Sequence, residues 1–216
     1  MIIHQLSTGM MDNFCYVLGC EQTRDAMVID PGDEVERILD TVRLENLTVR
    51  FIFNTHHHWD HVSGNAALKE ATGAALVLHA AEDDILQGKS PGISDPGGKA
   101  LSPPADHRIE HDDTLQLGRI IFKVLVTPGH TPGGLCLYAE GQLFTGDTLF
   151  VGDSGRTDLP GGHRPTLGSS IRRLMQLPDD TVVWPGHNYG PTPTSTLAWE
   201  KRNNVNAVEY GYYVEG

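Results

Sequence analysis

Four imidazoles and a carboxylate fall within six consecutive residues, His56-His57-His58-Trp59-Asp60-His61. On a chain leaving a strand, His56 and His58 can turn toward one ion while Asp60 and His61 turn toward another. Imidazole and carboxylate donors suit Zn first, with Fe or Mn as alternatives, and Zn–ligand distances run to about 2.0–2.2 Å. Polar side chains at this density directly after a buried strand need partners, so a solvated histidine-rich turn is the weaker reading. His57 and Trp59 alternate with the candidate ligands and read as packing or supporting residues.

Two ions need more ligands than this stretch supplies, and three later strand ends offer them. Val126-Thr127-Pro128-Gly129-His130 presents His130, Phe144-Thr145-Gly146-Asp147 presents Asp147, and Trp184-Pro185-Gly186-His187 presents His187. A lone histidine after a strand is usually a surface or packing residue. Four strand ends that each close on a metal-type ligand argue instead for one shared site. His4, His79, His107, His111 and His163 have no such setting and read as ordinary packing or surface residues.

With those residues in place, the sequence resembles the metallo-β-lactamase-fold hydrolases, and within them the glyoxalase II (hydroxyacylglutathione hydrolase) group. The H-x-H-x-D-H motif stands as His56, His58, Asp60 and His61, and the stretch from Thr55 to His61 with Gly64-Asn65 looks most like glyoxalase II. The resemblance implies that His56, His58 and His130 hold one metal, that Asp60, His61 and His187 hold a second, and that Asp147 bridges them. It also implies that Arg156 and Tyr189 bind glutathione, although Asp158 stands where that pattern has a second tyrosine. Because β-lactamases of this fold lack the bridging aspartate, Asp147 argues against antibiotic hydrolysis. Gly155-Arg156-Thr157-Asp158 and the stretch from Asn188 to Glu200 also resemble the persulfide dioxygenases, which keep the fold and use a single iron.

The implied chemistry is thioester hydrolysis. Two divalent ions about 3.5–4 Å apart would share a hydroxide and polarise the substrate carbonyl, with Asp60 orienting the nucleophile. The alternative is a mononuclear iron persulfide dioxygenase. A non-catalytic metal-binding protein is the lesser alternative, because metal stores favour sequential His or Cys runs over ligands gathered from separate strand ends.

The elements that must position these residues are short and bounded by Gly and Pro clusters. Residues 1–7, 14–20 and 26–30 read as a three-strand meander. Val35, Ile38, Leu39 and Val42 recur at helical spacing over residues 33–44, with Asp33 placed as the N-cap. Val49-Arg50-Phe51-Ile52-Phe53 is the strand that carries the histidine stretch on a loop. A helix is expected from about residue 63, a strand over 75–79 and a short helix over 80–86. Residues 88–107, dense in Pro and Gly, read as a long surface loop and a possible lid. Strands follow over 114–117, 120–126, 134–138 and 142–145, then a helix near 166–177, a strand over 181–184 and a last helix from about 195. Two meander-plus-helix halves predict an α/β protein, an αββα sandwich of two mixed β-sheets flanked by helices, which the resemblance also implies. A single domain over residues 1–216 is the default at this length.

The chain carries 16 Lys and Arg against 28 Asp and Glu, a formal net charge of −12. That balance argues against nucleic acid or an anionic membrane as the main partner, since both need a basic footprint. Neither an export signal nor an apolar span is visible, so the expected location is the cytoplasm. The expected partner is a small thioester, glutathione-linked in the resembling group, and the expected state is a monomer or homodimer. The three cysteines, Cys15, Cys20 and Cys136, read as reduced core thiols.

Overall fold

The structure, a computed structural model, describes residues 1–90 and 102–209. Two six-stranded sheets make up its centre. The first has strands β1 (Ile2–Thr8), β2 (Asn13–Gly19), β3 (Asp25–Ile29), β4 (Thr48–Phe53), β5 (Ala75–His79) and β6 (His107–Ile109), in that spatial order. Pairing is antiparallel from β1 to β3 and parallel from β3 to β6. The second sheet contains β7 (Thr114–Leu117), β8 (Ile120–Val126), β9 (Leu135–Ala139), β10 (Gln142–Gly146), β11 (Val182–Pro185) and β12 (Ser195–Thr196), again side by side in sequence order. Only its β10–β11 pair is parallel.

Strand β2 shows how the sequence builds the layers. All seven of its residues are buried, and because successive side chains point to opposite faces it feeds two cores. Phe14, Tyr16 and Leu18 meet Phe122, Val124, Leu137 and Phe144 of the second sheet. Cys15 and Val17 face the other way, toward Ile38 and Val42 of helix α1 (Val35–Leu44) and Leu68 of helix α3 (Asn65–Thr72). On the far side, Cys136, Leu143 and Val183 pack against helix α5 (Arg164–Leu174) and Leu197 of helix α6 (Leu197–Asn203). The result is the αββα sandwich of two mixed sheets expected from the sequence. All three cysteines are free and buried.

The structure departs from the sequence reading in several places. Asp33 does not cap α1. Glu34 occupies the N-cap in a left-handed conformation with φ of 52° and no side-chain cap bond, while Asp33 Oδ1 accepts from the Glu34 N–H. The helix expected from about residue 63 is α3, starting at Asn65, but a single turn, α2 (Trp59–Val62), precedes it, so Asp60 and His61 sit on a helical turn rather than in a loop. Gly64 marks the break. Its N–H donates to Pro31 O at 2.7 Å, and a Cβ there would lie 2.3 Å from the same oxygen. The last helix starts two residues later than expected, at Leu197, where the Thr196 hydroxyl caps it, and helix α7 (Val205–Glu209) follows. The short helix α4 (Ala80–Leu86) lies as expected. Most of the 88–107 loop, residues 91–101, falls outside the described residues, and its end at His107 belongs to β6. Among the described residues no helix is long and apolar enough to cross a membrane.

Candidate metal centre

Four strand ends from both sheets converge at one edge of the sandwich. The Asn54–His58 loop and α2 follow β4, Gly129-His130 follows β8, Asp147 follows β10, and Gly186-His187 follows β11. Glycine makes the approach possible at Gly186, where a Cβ would sit 2.3 Å from Asp147 Oδ1. An isolated bridge between Asn13 and His187 ties this edge to the start of β2.

The seven candidate ligands form three overlapping groups, His56/His58/His130, Asp60/His61/His187 and His56/His61/Asp147. His58 Nδ1 lies 3.0 Å from both His56 Nε2 and His130 Nε2. In the second group, His61 Nε2 and His187 Nε2 are 3.2 Å apart, and Asp60 Oδ2 stands 3.6 and 3.5 Å from them. Asp147 reaches both groups. Its Oδ2 is 3.4 Å from His130 Nε2 and 3.3 Å from His187 Nε2, and its Oδ1 is 3.5 Å from His61 Nε2.

The hydrogen bonds behind the rings fix which nitrogens face the centre. A backbone carbonyl only accepts, so His130 Nδ1, 2.6 Å from Arg156 O, and His187 Nδ1, 2.8 Å from Met11 O, must carry protons. Asp30 Oδ2 receives the Thr55 hydroxyl at 2.7 Å and His61 Nδ1 at 3.0 Å. With its proton given to Asp30, the Thr55 oxygen accepts from His56 Nδ1 at 3.0 Å. In their neutral forms all four rings therefore point Nε2 lone pairs inward. Those of His61 and His187 face each other, and one proton on His58 Nδ1 satisfies only one of its two neighbours. Asp147 Oδ1 is buried with no hydrogen-bond partner. Lone pairs converging on a common point, beside an orphaned carboxylate oxygen, fit divalent cations.

The electrostatics agree. Burial, reinforced by the neighbouring imidazoles, holds His56 well below its ordinary value and His58 at about 3, so both are neutral ligands near neutrality. At His61 burial acts in the same direction but is outweighed by Asp147, Asp60 and Asp30, which raise it to about 10. The Asp147 carboxyl is driven far below the usual carboxylate range by His187 and His61 despite its burial. Positive charge is thus strongly favoured in the half that carries the carboxylates.

Two carboxylates that the sequence reading did not single out hold the ligand loops from behind. Asp30 also accepts the Thr55 N–H at 2.8 Å. It directly follows strand β3, so the rule that selects the other strand ends applies to it too. Glu82 on α4, fully buried, accepts from the His57 N–H at 2.9 Å, from the His57 ring and from the Gly133 N–H at 2.6 Å. Asn13 Nδ2 donates to Asp60 Oδ2 at 3.0 Å. Among the described residues, His4, His79, His107, His111 and His163 belong to none of the ligand groups.

A cavity of about 510 Å³ opens over the centre, lined by His58, Asp60, His130, Asp147 and His187 and walled by Met11, Trp59, Phe150, Leu159 and Tyr189. Tyr189 stacks on His187 with ring centroids 4.5 Å apart. Arg156 lies at the rim and is paired with Asp158 through two bonds of 2.6 and 2.7 Å.

A family model described as the metallo-beta-lactamase superfamily matches residues 9–187. A hydroxyacylglutathione hydrolase from Thermosynechococcus vestitus is 38% identical over 88% of this chain and 68% of its own length. Among solved structures, ETHE1 from Myxococcus xanthus superposes with a TM-score of 0.83 at 35% identity, covering 96% of this chain and 85% of that one. The BLEG-1 B3 metallo-beta-lactamase gives 0.84 at 32% identity, covering 95% and 99%. With a match of that extent and a donor set suited to divalent metals, this protein belongs to the metallo-beta-lactamase superfamily.

Proposed function

We propose that the protein is a thioester hydrolase of the hydroxyacylglutathione hydrolase type, working through two divalent ions, Zn foremost. The observation that carries this reading is Asp147, which stands 3.3–3.5 Å from imidazoles of both ligand groups with its Oδ1 unpartnered. A carboxylate so placed suits a two-ion site. The 38% identity to a hydroxyacylglutathione hydrolase supports the substrate class. When bound, the ions supply a water of lowered pKa and a Lewis acid for the carbonyl.

The chain's own residues do the rest. Asp60, fixed by Asn13 at Oδ2, faces the cavity and orients the attacking water toward the carbonyl carbon. Phe150 and Trp59 give the cavity apolar surface beside the ligand groups. A thiol, with a pKa of about 8.5, leaves as thiolate without a strong general acid. None of the three cysteines lines the cavity, so no thiol nucleophile is positioned there.

A second reading, the single-iron persulfide dioxygenase, is favoured by one specific group, His56/His61/Asp147. Two histidines and one carboxylate are the donor set of non-haem iron oxygenases.

The deciding experiment measures metal content of the purified protein together with three activities: thiol release from acyl thioesters, oxygen uptake with a persulfide, and hydrolysis of a chromogenic β-lactam. Two metals per chain with thiol release is the expected result. Asp147→Ala should lower both metal content and thiol release by orders of magnitude. One iron per chain with oxygen consumption overturns the hydrolase reading, and β-lactam turnover exceeding thioester turnover does so as well.

A further inference from the structure

The cavity offers apolar surface at its mouth and little cationic side-chain charge. Its outer wall is apolar and solvent-facing, with Trp59 and Met11 each 43% exposed and Tyr189 53% exposed. Its charged lining is mostly acidic. Asp60 and Asp147 belong to the ligand groups, and Asp153 lies farther out, its Oδ1 accepting from Ser154 N and Asn206 Nδ2. Among the described residues one Arg and no Lys reach this lining.

That arginine, Arg156, is engaged. Its Nε and one terminal nitrogen meet the two oxygens of Asp158, a fork-on-fork arrangement that occupies one of the two bidentate edges of the guanidinium. Asp158 follows two residues after Arg156 on the same loop, so the partner stays at hand whenever a ligand approaches. An incoming carboxylate meets a guanidinium whose charge Asp158 already balances and must sit beside Asp158 and Asp153, whereas an uncharged arm can lie on Trp59, Met11 and Tyr189 without disturbing the pair.

We propose that Asp158 is a specificity residue: by neutralising Arg156 at the rim, it directs the cavity toward thioesters of uncharged, amide-bearing thiols of the N-acylcysteamine type and away from carboxylate-bearing thiols such as glutathione. This rests on the thioester reading above and names its carrier.

The test pairs two substrates with one acyl group, S-lactoyl-glutathione and S-lactoyl-N-acetylcysteamine, on the metal-loaded enzyme. The neutral ester should show the higher kcat/KM. In Asp158→Asn the freed guanidinium should shift the kcat/KM ratio toward glutathione by roughly two- to fivefold, the range carried by an exposed ion pair, chiefly through KM. In parallel, calorimetry with the non-hydrolysable thioethers S-propyl-glutathione and S-propyl-N-acetylcysteamine should show the same preference and the same shift. A wild-type preference for the glutathione ester, or a ratio unmoved in Asp158→Asn, overturns the proposal and leaves the hydrolase reading standing. If neither ester is hydrolysed, the hydrolase reading fails, and thioether binding still decides the carrier preference of the cavity.

Discussion

Removing the Glu82 carboxylate should destabilise the protein far beyond an ordinary single substitution. Glu82 is fully buried on α4 and accepts from two backbone N–H groups, of His57 and Gly133, and from the His57 ring. It joins the loop carrying His56 and His58 to the loop carrying His130. Hydrogen bonds to a charged group contribute about 1.5–3 kcal/mol each, and a buried N–H left without a partner costs about 1–3 kcal/mol. The three bonds share one carboxylate and do not add fully, so Glu82→Ala should cost about 3–5 kcal/mol, as for removing one partner of a buried ion pair. Against a total stability of about 5–15 kcal/mol the variant would still fold in many solution conditions. Glu82→Gln keeps the shape but turns an amide NH2 toward donors and should fall between the two. The assay is urea unfolding of the metal-loaded protein, with midpoint and slope compared.

The pH dependence gives an independent check. Burial alone would raise the Glu82 pKa, but the His57 ring and the Gly133 N–H bind the charged form and bring it below 4.5. A depressed carboxyl contributes stability above its unfolded pKa and loses it as pH falls through the folded value. Wild-type stability should therefore drop more steeply below about pH 4.5 than that of Glu82→Gln. A Glu82→Ala protein within about 1 kcal/mol of wild type, with an unchanged slope, would refute the bracing role.

Three further outcomes follow from the site. Asp30→Asn sets an NH2 against one of the donors now held by Asp30, and should weaken metal binding about 10- to 100-fold by competition with a chromogenic chelator. Gly186→Ala places a methyl 2.3 Å from Asp147 Oδ1, so it should lower the unfolding free energy by about 1–3 kcal/mol and reduce metal content in parallel. Stripping the metals with a chelator should lower Tm, and titrating them back should raise it in a concentration-dependent way, by about 2.7 kcal/mol at 100 times Kd.

Much of this architecture was legible in the chain. The run from Phe14 to Gly19 reads as a strand from composition, but that it feeds two cores, and which helices and strands fill them, is visible only in the structure. The strand-end rule selected His130, Asp147 and His187, and the structure brings them to the histidine stretch. Asp30 obeys the same rule, but it reads as the last residue of the strand over 26–30, stopped by Pro31-Gly32-Asp33, and so escapes notice. Glu82 left no trace because its partners lie 25 and 51 residues away, and a carboxylate in a short helix ordinarily faces water. The break between α2 and α3 was equally hidden, since it depends on the contact between Gly64 and Pro31 rather than on local propensity.

What the two overlooked carboxylates share explains how the site tolerates its own charge. Asp30 and Glu82 face the ligand loops from behind, while Asp60 and Asp147 face the centre, so four acidic groups crowd around imidazoles that are nearly all buried. Each rear carboxylate is saturated by donors it holds in place. Asp147 is different, because one of its oxygens has no donor at all. Leaving a buried carboxylate oxygen unpaired is costly, and the inward Nε2 lone pairs cannot relieve it. A divalent cation satisfies the neutral imidazoles and the carboxylate together. The rear pair fixes the ligands before any ion arrives, and the front pair makes the cavity incomplete without one.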